Sequence, residues 1–246
     1  MIEHHIDIPT ADGQMNTFIT HPEEGGPFPV VLFYMDAPGK REELHDMARR
    51  IATVGYYVVL PNLYYRTTRD FVMVRDEAGF RRMFALMAGV TPALAMRDTQ
   101  AMLEFVDGQP EAKATALGVL GYCMSGPLVF AAAGHFPQRI KCAASIYGVS
   151  LATDDADSPH LVADKIEGEL YFGVAETDKY APSEMIHRLE GHLKTVPGLR
   201  HRVEWYMGAE HGFAFPQRQG VFHKPSAERH WERLFALFKR NLCASS

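Results

Sequence analysis

The run from Pro29 to Asp36, Pro-Val-Val-Leu-Phe-Tyr-Met-Asp, constrains the fold most strongly, because an unbroken apolar stretch of this kind suits a strand buried on both faces. Such a strand belongs inside a parallel sheet, and parallel neighbours must be joined by crossover segments, usually helices. The chain supplies them. Leu44, Met47, Ile51 and Val54 recur at helical spacing, with Gly55 as a C-terminal stop. Residues 56–60 read as the next strand, closed by Pro61. Upstream, residues 2–8 and 15–20 flank Asp12-Gly13, a hairpin-turn pair.

The same alternation continues downstream, as expected of βα units feeding one sheet. Residues 62–90 are harder to read, with helical pieces rich in arginine and aromatic residues. A helix is expected over 93–106, a strand over 116–122, and a small-residue helix over about 125–134. Strands follow at 142–147, 169–174 and 202–207, with a mostly polar loop over 148–164 and a helix from near Pro182 carrying Met185, Leu189, Leu193 and Val196. Trp231, Leu234, Phe235, Phe238 and Leu242 mark one face of a final helix packed on the sheet. The expected architecture is α/β, with eight mostly parallel strands and helices on both faces in one domain, 1–246.

Composition narrows the function. At 246 residues, 47% of them hydrophobic and 22% charged, the chain can bury a sheet of this size. Its net charge of −5 argues against a general nucleic-acid partner. No apolar run approaches the roughly 20 residues that cross a bilayer, so no membrane partner is expected. The start, Met1-Ile2-Glu3-His4-His5, lacks the basic and apolar regions of a signal peptide. Three cysteines without a CxxC pair suit free thiols in a reducing cytoplasm.

The chemistry gathers at Gly121-Tyr122-Cys123-Met124-Ser125-Gly126, where a buried strand turns into a helix. A nucleophile elbow needs small neighbours because its side chain is pushed out of a strained turn. Gly121 stands two residues before Cys123, and Ser125-Gly126 two and three after it. Cysteine is intrinsically a strong nucleophile, and the helix start behind it favours an anion. Ser125 is a weaker candidate, and Cys142 and Cys243 lack this context. In such folds the acid and then the histidine follow the nucleophile in the chain, each after a strand. Asp178 and His211 meet that order, with Glu176, Asp154, Asp155 and Asp157 as rival carboxylates. His201 should lie at the opposite edge, and His187, His192, His223 and His230 are expected on the surface.

In these residues the chain resembles the dienelactone hydrolase (carboxymethylenebutenolidase) family of α/β-hydrolases. Gly121-Tyr-Cys-Met-Ser-Gly126 is similar to the family's Gly-Tyr-Cys-x-Gly-Gly elbow, Leu60-Pro-Asn-Leu-Tyr64 to its Pro-Asp-Leu-Tyr segment, and Gly208-Ala-Glu-His-Gly-Phe213 to its Ala-Gly-His-x-Phe turn. The resemblance implies a triad of Cys123, Asp178 and His211. It also implies an oxyanion hole from the backbone N–H groups of Ala37 and Met124, and Asp36 as an acidic residue that modulates the thiol. Tyr64, Phe213, Phe215 and Arg81 become candidates for substrate contact, with Arg75 and Arg82 as alternative cations. Two departures stand out. Asp36 occupies a position where members acting on dienelactone carry glutamate, and Phe215 one where they carry an arginine for the substrate carboxylate.

The expected activity is hydrolysis of a small ester or lactone through a thioester. No cofactor is expected, since the chain has no HExxH or CxxC spacing for a metal and no Gly-x-Gly-x-x-Gly after a strand for a nicotinamide or flavin. The rival reading is a non-catalytic ligand-binding or thiol-sensing protein on the same scaffold.

Overall fold

The computed structural model describes residues 1–243. Eight strands form one sheet: β1 (Ile2–Thr10), β2 (Gly13–His21), β3 (Phe28–Tyr34), β4 (Tyr57–Pro61), β5 (Ala112–Tyr122), β6 (Ile140–Ile146), β7 (Glu169–Thr177) and β8 (His201–Glu210). Their spatial order is β1-β2-β4-β3-β5-β6-β7-β8. The hairpin β1–β2 and the pair β2–β4 are antiparallel, whereas β3–β4, β6–β7 and β7–β8 are parallel. Among the described residues six α-helices accompany the sheet: α1 (Glu42–Thr53), α2 (Glu77–Ala88), α3 (Pro92–Asp107), α4 (Gly126–His135), α5 (Ser183–Thr195) and α6 (Lys224–Leu242). This is the α/β architecture expected from the sequence. The chain clusters into two compact units, Met1–Leu117 and the part beginning at Gly118, with the boundary inside β5.

Burial follows strand position. Every residue of β4 is buried, and β3 is buried except at Pro29, as their apolar runs require. The edge strands β1 and β8 carry exposed polar residues such as Glu3, His4, His5 and Arg202, which discourage edge-to-edge pairing. Within the first unit α1 packs against β2 and β4, burying Leu44, Met47 and Ile51. Val54 lies just past the helix end and is exposed, so the apolar face stops one residue earlier than its spacing implied. The hairpin turn is likewise shifted. Thr10 pairs with Gly13, which leaves Ala11 and Asp12 in the turn, and Gly13 enters β2 at φ +134°. Residues 62–90 resolve into turns and α2, whose Asp76 side chain caps the helix by accepting the Gly79 N–H.

Within the second unit α4 and α6 pack on β6, and α6 also meets β7 and β8. A short 3-10 segment, Pro159–Lys165, lies in the stretch read as loop. His230 lies on the inner face of α6 and is fully buried, contrary to the surface position expected for it. It falls four residues before Leu234, on the same helical stripe.

A polar knot ties α3 to the start of the first unit. Buried Asp98 accepts hydrogen bonds from the Tyr65 hydroxyl at 2.9 Å and from the two terminal nitrogens, Nη1 and Nη2, of Arg66 at 2.8 and 2.7 Å. Arg66 reaches on to Asp12 at 2.8 Å. Removing one partner of a buried pair strands the other charge. Asp98→Ala should therefore lower stability by about 3 kcal/mol, read from the urea midpoint at an unchanged m-value.

Candidate active site

β5 ends at Tyr122, and the next residue, Cys123, sits at φ +54° at the head of a single 3-10 turn, Cys123–Ser125, which runs into α4. A left-handed conformation at a non-glycine residue costs on the order of 1–3 kcal/mol and persists only when the surroundings enforce it. The flanking glycines show how. A Cβ on Gly121 would sit 2.7 Å from the Ser125 carbonyl oxygen, and one on Gly126 would sit 2.4 Å from Gly148 Cα. The elbow is thus packed backbone to backbone against the turn after β6, and the Val149 N–H donates to the Cys123 carbonyl at 3.2 Å. Cys123 is half-buried and takes part in no disulfide, whereas Ser125 is fully buried. Cys142 is also fully buried, and that burial pushes its thiol far above the ordinary range.

Asp178 follows β7 and His211 follows β8, in the order expected. The imidazole Nδ1–H of His211 donates to Asp178 Oδ2 at 2.7 Å, with both side chains buried. Asp178 Oδ1 accepts the backbone N–H groups of Tyr180 at 2.8 Å and Ala181 at 3.1 Å, so three donors hold the carboxylate. Three of the four rival carboxylates are used elsewhere. β8 bulges between Tyr206 and Glu210 relative to Ala175 and Thr177 of β7. Glu176 accepts the N–H of Gly208, inside that bulge, at 2.6 Å. Asp154 pairs with Arg188 at 2.6 Å, and Asp155 accepts from the Thr153 hydroxyl. A bulge re-aims the strand end, and here β8 carries His211 on toward Asp178.

Aromatic rings fix the imidazole. Tyr147, itself at φ +38°, meets it edge-on at 5.0 Å, and Tyr180 does so at 4.9 Å. Phe213 and Phe215, expected among substrate contacts, are fully buried. They pack against Tyr147 at 5.2 and 6.1 Å, which supports the His211 turn from beneath. Gly212, at φ +94°, leaves room for Arg218, since a Cβ there would come within 1.7 Å of a guanidinium nitrogen. That guanidinium donates to the His211 carbonyl at 3.3 Å, and among the described residues it has no carboxylate partner. The sequence reading missed Arg218, three residues beyond the position where it looked for a cation. His201 opens β8, at the opposite end of that strand from His211.

In the first unit, the loop after β3 is clamped by its own residues. Buried Asp36 pairs with Arg41 at 2.5 and 3.3 Å, and Arg41 also binds Glu43 at 2.7 Å and the Gly39 carbonyl at 3.1 Å. Burial works against the charge of Arg41, but the carboxylates of Asp36 and Glu43 overcome it and raise its pKa. Arg41 donates to both Asp36 oxygens, while the Tyr64 hydroxyl donates to the Ala37 carbonyl at 2.8 Å. Arg81 lies exposed on α2, ion-paired with Glu77. Among the described residues no group of histidine, cysteine and carboxylate side chains is arranged to hold a metal ion, and no helix is long and apolar enough to cross a membrane.

A strand–turn–helix elbow with a histidine–carboxylate pair at the same sheet edge defines the class as α/β-hydrolase. Comparison with known proteins gives the family. The model of the dienelactone hydrolase family matches residues 15–242, and the chain belongs to that family of hydrolases. A relative from Synechocystis sp., named "Putative carboxymethylenebutenolidase", is 28% identical over 242 residues, covering 96% of each chain. Another of the same name from Methylorubrum extorquens is 26% identical, covering 98% of this chain and 81% of the relative. A solved structure from Klebsiella pneumoniae, titled "Putative Dienelactone Hydrolase", superimposes with a TM-score of 0.86 at 24% identity, over 96% of this chain and 98% of that one. A dienelactone hydrolase-like promiscuous phosphotriesterase from metagenomic libraries shares the fold, at a TM-score of 0.81 and 19% identity over 98% of both chains.

The glycine packing can be tested directly. Gly126→Ala forces a methyl group onto the Gly148 backbone, an overpacking that should cost about 1–3 kcal/mol. The Tm should fall accordingly, whereas Gly191→Ala, with open space at its Cβ, should not lower it.

Proposed function

We propose that the protein hydrolyses small esters or lactones with Cys123 as nucleophile, His211 as general base and acid, and Asp178 as the group that orients the imidazole. The observation that carries this reading is the buried His211–Asp178 hydrogen bond, at the strand ends beside the turn that presents Cys123. With Nδ1–H committed to Asp178, neutral His211 keeps its lone pair on Nε2, where a base must have it.

The Cys123 thiol gives its proton to Nε2, and the sulfur attacks the substrate carbonyl carbon. Negative charge develops on the carbonyl oxygen, and the Met124 N–H at the start of the helical turn is the donor for it. The C–O bond breaks as the imidazolium returns the proton to the departing oxygen, leaving an acyl thioester. His211 then takes a proton from water, the hydroxide attacks the thioester, and the acid leaves as the thiol is restored. Asp178 stabilises the imidazolium in both halves without taking its proton. No cofactor has a part in these steps. A non-catalytic binding or thiol-sensing role would leave the ordered His211–Asp178 pair without a task.

Arg218 supports a preference within this class. A half-buried guanidinium on the His211 turn, without a carboxylate partner among the described residues, suits a substrate bearing its own anionic group. Arg218→Gln should raise KM for 4-nitrophenyl hemisuccinate by about tenfold, the scale of one charge-assisted hydrogen bond. KM for 4-nitrophenyl acetate should stay within about twofold. Equal effects on both esters would reject the preference.

The nucleophile is tested by mass and by rate. Cys123→Ala should abolish turnover of 4-nitrophenyl acetate and the acetylated intermediate, while Cys142→Ala keeps turnover at a measurable level. Cys123→Ser should retain a small fraction of the rate, since a hydroxyl is the poorer nucleophile at neutral pH. Full activity in Cys123→Ala would overturn the reading.

A further inference from the structure

His230 is a fully buried histidine that the hydrolytic steps leave unused. It projects from α6 into the aromatic cluster behind the elbow, with its ring 4.7 Å from that of Trp231. Its Nδ1 is hydrogen-bonded to the Ala227 carbonyl, one turn back on the helix. A carbonyl can only accept, so the proton sits on Nδ1 and Nε2 carries the lone pair. The Tyr122 hydroxyl therefore donates to Nε2, at 3.0 Å.

Tyr122 is the last residue of β5, directly before the left-handed Cys123. Its side chain anchors the extended end of the strand, and the next peptide makes the strained turn. The ring is held further by Tyr147 at 5.7 Å and Phe215 at 5.3 Å. On its other side His230 meets Phe213 edge-on at 6.1 Å, two residues past His211, and the His223 N–H just before α6 donates to the Phe213 carbonyl at 3.1 Å. One imidazole thus touches the residue before Cys123 and the turn after His211. A pair of apolar residues of matching shape would fill such a cluster with little loss of stability. A directional bond adds a fixed orientation of Tyr122.

We propose that His230 is a positioning residue. Through its hydrogen bond to Tyr122 it sets the attitude of the Cys123 thiol, and through Phe213 it holds the His211 turn in register with it. The inference rests on the reading of Cys123 as nucleophile and His211 as base. It goes further by placing part of the reactivity of those two groups in a side chain of α6 that the hydrolytic steps do not use.

The test uses Tyr122→Phe, His230→Leu, their double variant and His230→Gln in the full chain. Two readouts are taken at one pH: the rate of Cys123 alkylation by iodoacetamide, and kcat and KM for 4-nitrophenyl acetate. Tyr122→Phe and His230→Leu should each slow alkylation and lower kcat by about tenfold, with KM within about twofold. The double variant should be no worse than either single one, because both remove the same bond. His230→Gln, whose amide oxygen can accept the Tyr122 hydroxyl, should recover at least half of the wild-type kcat. Wild-type alkylation and kcat in Tyr122→Phe, whatever its Tm, would overturn the proposal, as would losses that multiply in the double variant. Tyr122→Phe keeps the ring, so the test stands even where His230→Leu folds poorly. Cys123→Ala with full turnover would instead overturn the nucleophile reading, and the alkylation rates of wild type and Tyr122→Phe would still test the positioning role.

Discussion

Among the described residues three that are not glycine hold positive φ angles, Cys123, Tyr147 and Ser150, and all follow the ends of β5 and β6. The close approach of these two turns is the constraint on which the site depends. Gly126 and Gly148 let their backbones meet at a distance that no Cβ would permit. The Val149 N–H closes onto the Cys123 carbonyl, and the Tyr147 N–H donates to the Gly173 carbonyl of β7 at 2.6 Å. Strain at Cys123 and Tyr147 is thus opposed by packing and by these hydrogen bonds, which is how an unfavourable backbone persists. The turns also share consequences. Tyr147 in its unusual conformation lays its ring against both Tyr122 and His211, so the geometry at Cys123 and that at His211 are mechanically coupled.

Charge is handled differently in the two units. Asp178 is given to an imidazole, a partner that gains a full charge only when it accepts a proton, so the pair stores electrostatic stabilisation for that moment. Asp36 is given to a guanidinium that is always charged. Both Asp36 oxygens face Arg41, and Glu43 balances the same cation from the other side. The field that Asp36 casts beyond its loop is therefore that of a closed ion pair rather than of a bare anion.

Much of this was legible in the residues. The apolar run at 29–36 and the alternation after it fixed the strands and the helix order, because burial on both faces leaves a pattern that loops do not imitate. Gly121, Cys123 and Gly126 marked the elbow, because the close packing of a strained turn demands small residues at those places. Less was legible where long-range packing decides. His230 was read as surface from its helical location, although its spacing to Leu234 and Phe238 placed it on the buried stripe, and only tertiary contact supplies the Tyr122 hydroxyl that makes a buried imidazole tolerable. Arg41 as the partner of Asp36, and Arg218 folded back over Gly212, depend on loop paths that no periodicity encodes.

The choice between Glu176 and Asp178 shows where sequence reasoning ends. Both follow the same strand, both can accept from an imidazole, and their spacing of two residues puts them on the same side of an extended chain. What separates them is the bulge in β8. Its added residues free the Gly208 N–H, at φ +74°, and Glu176 is the carboxylate close enough to satisfy it. With one oxygen on that N–H, Glu176 is engaged in holding the bulge of β8. The same bulge carries the end of β8 forward to His211, while β7 turns at Asp178, whose second oxygen is already held by two backbone N–H groups. A single irregularity in one strand thus assigns one carboxylate to architecture and the other to the histidine. It lies in the pairing of β7 with β8, a property of two strands together that neither segment carries alone.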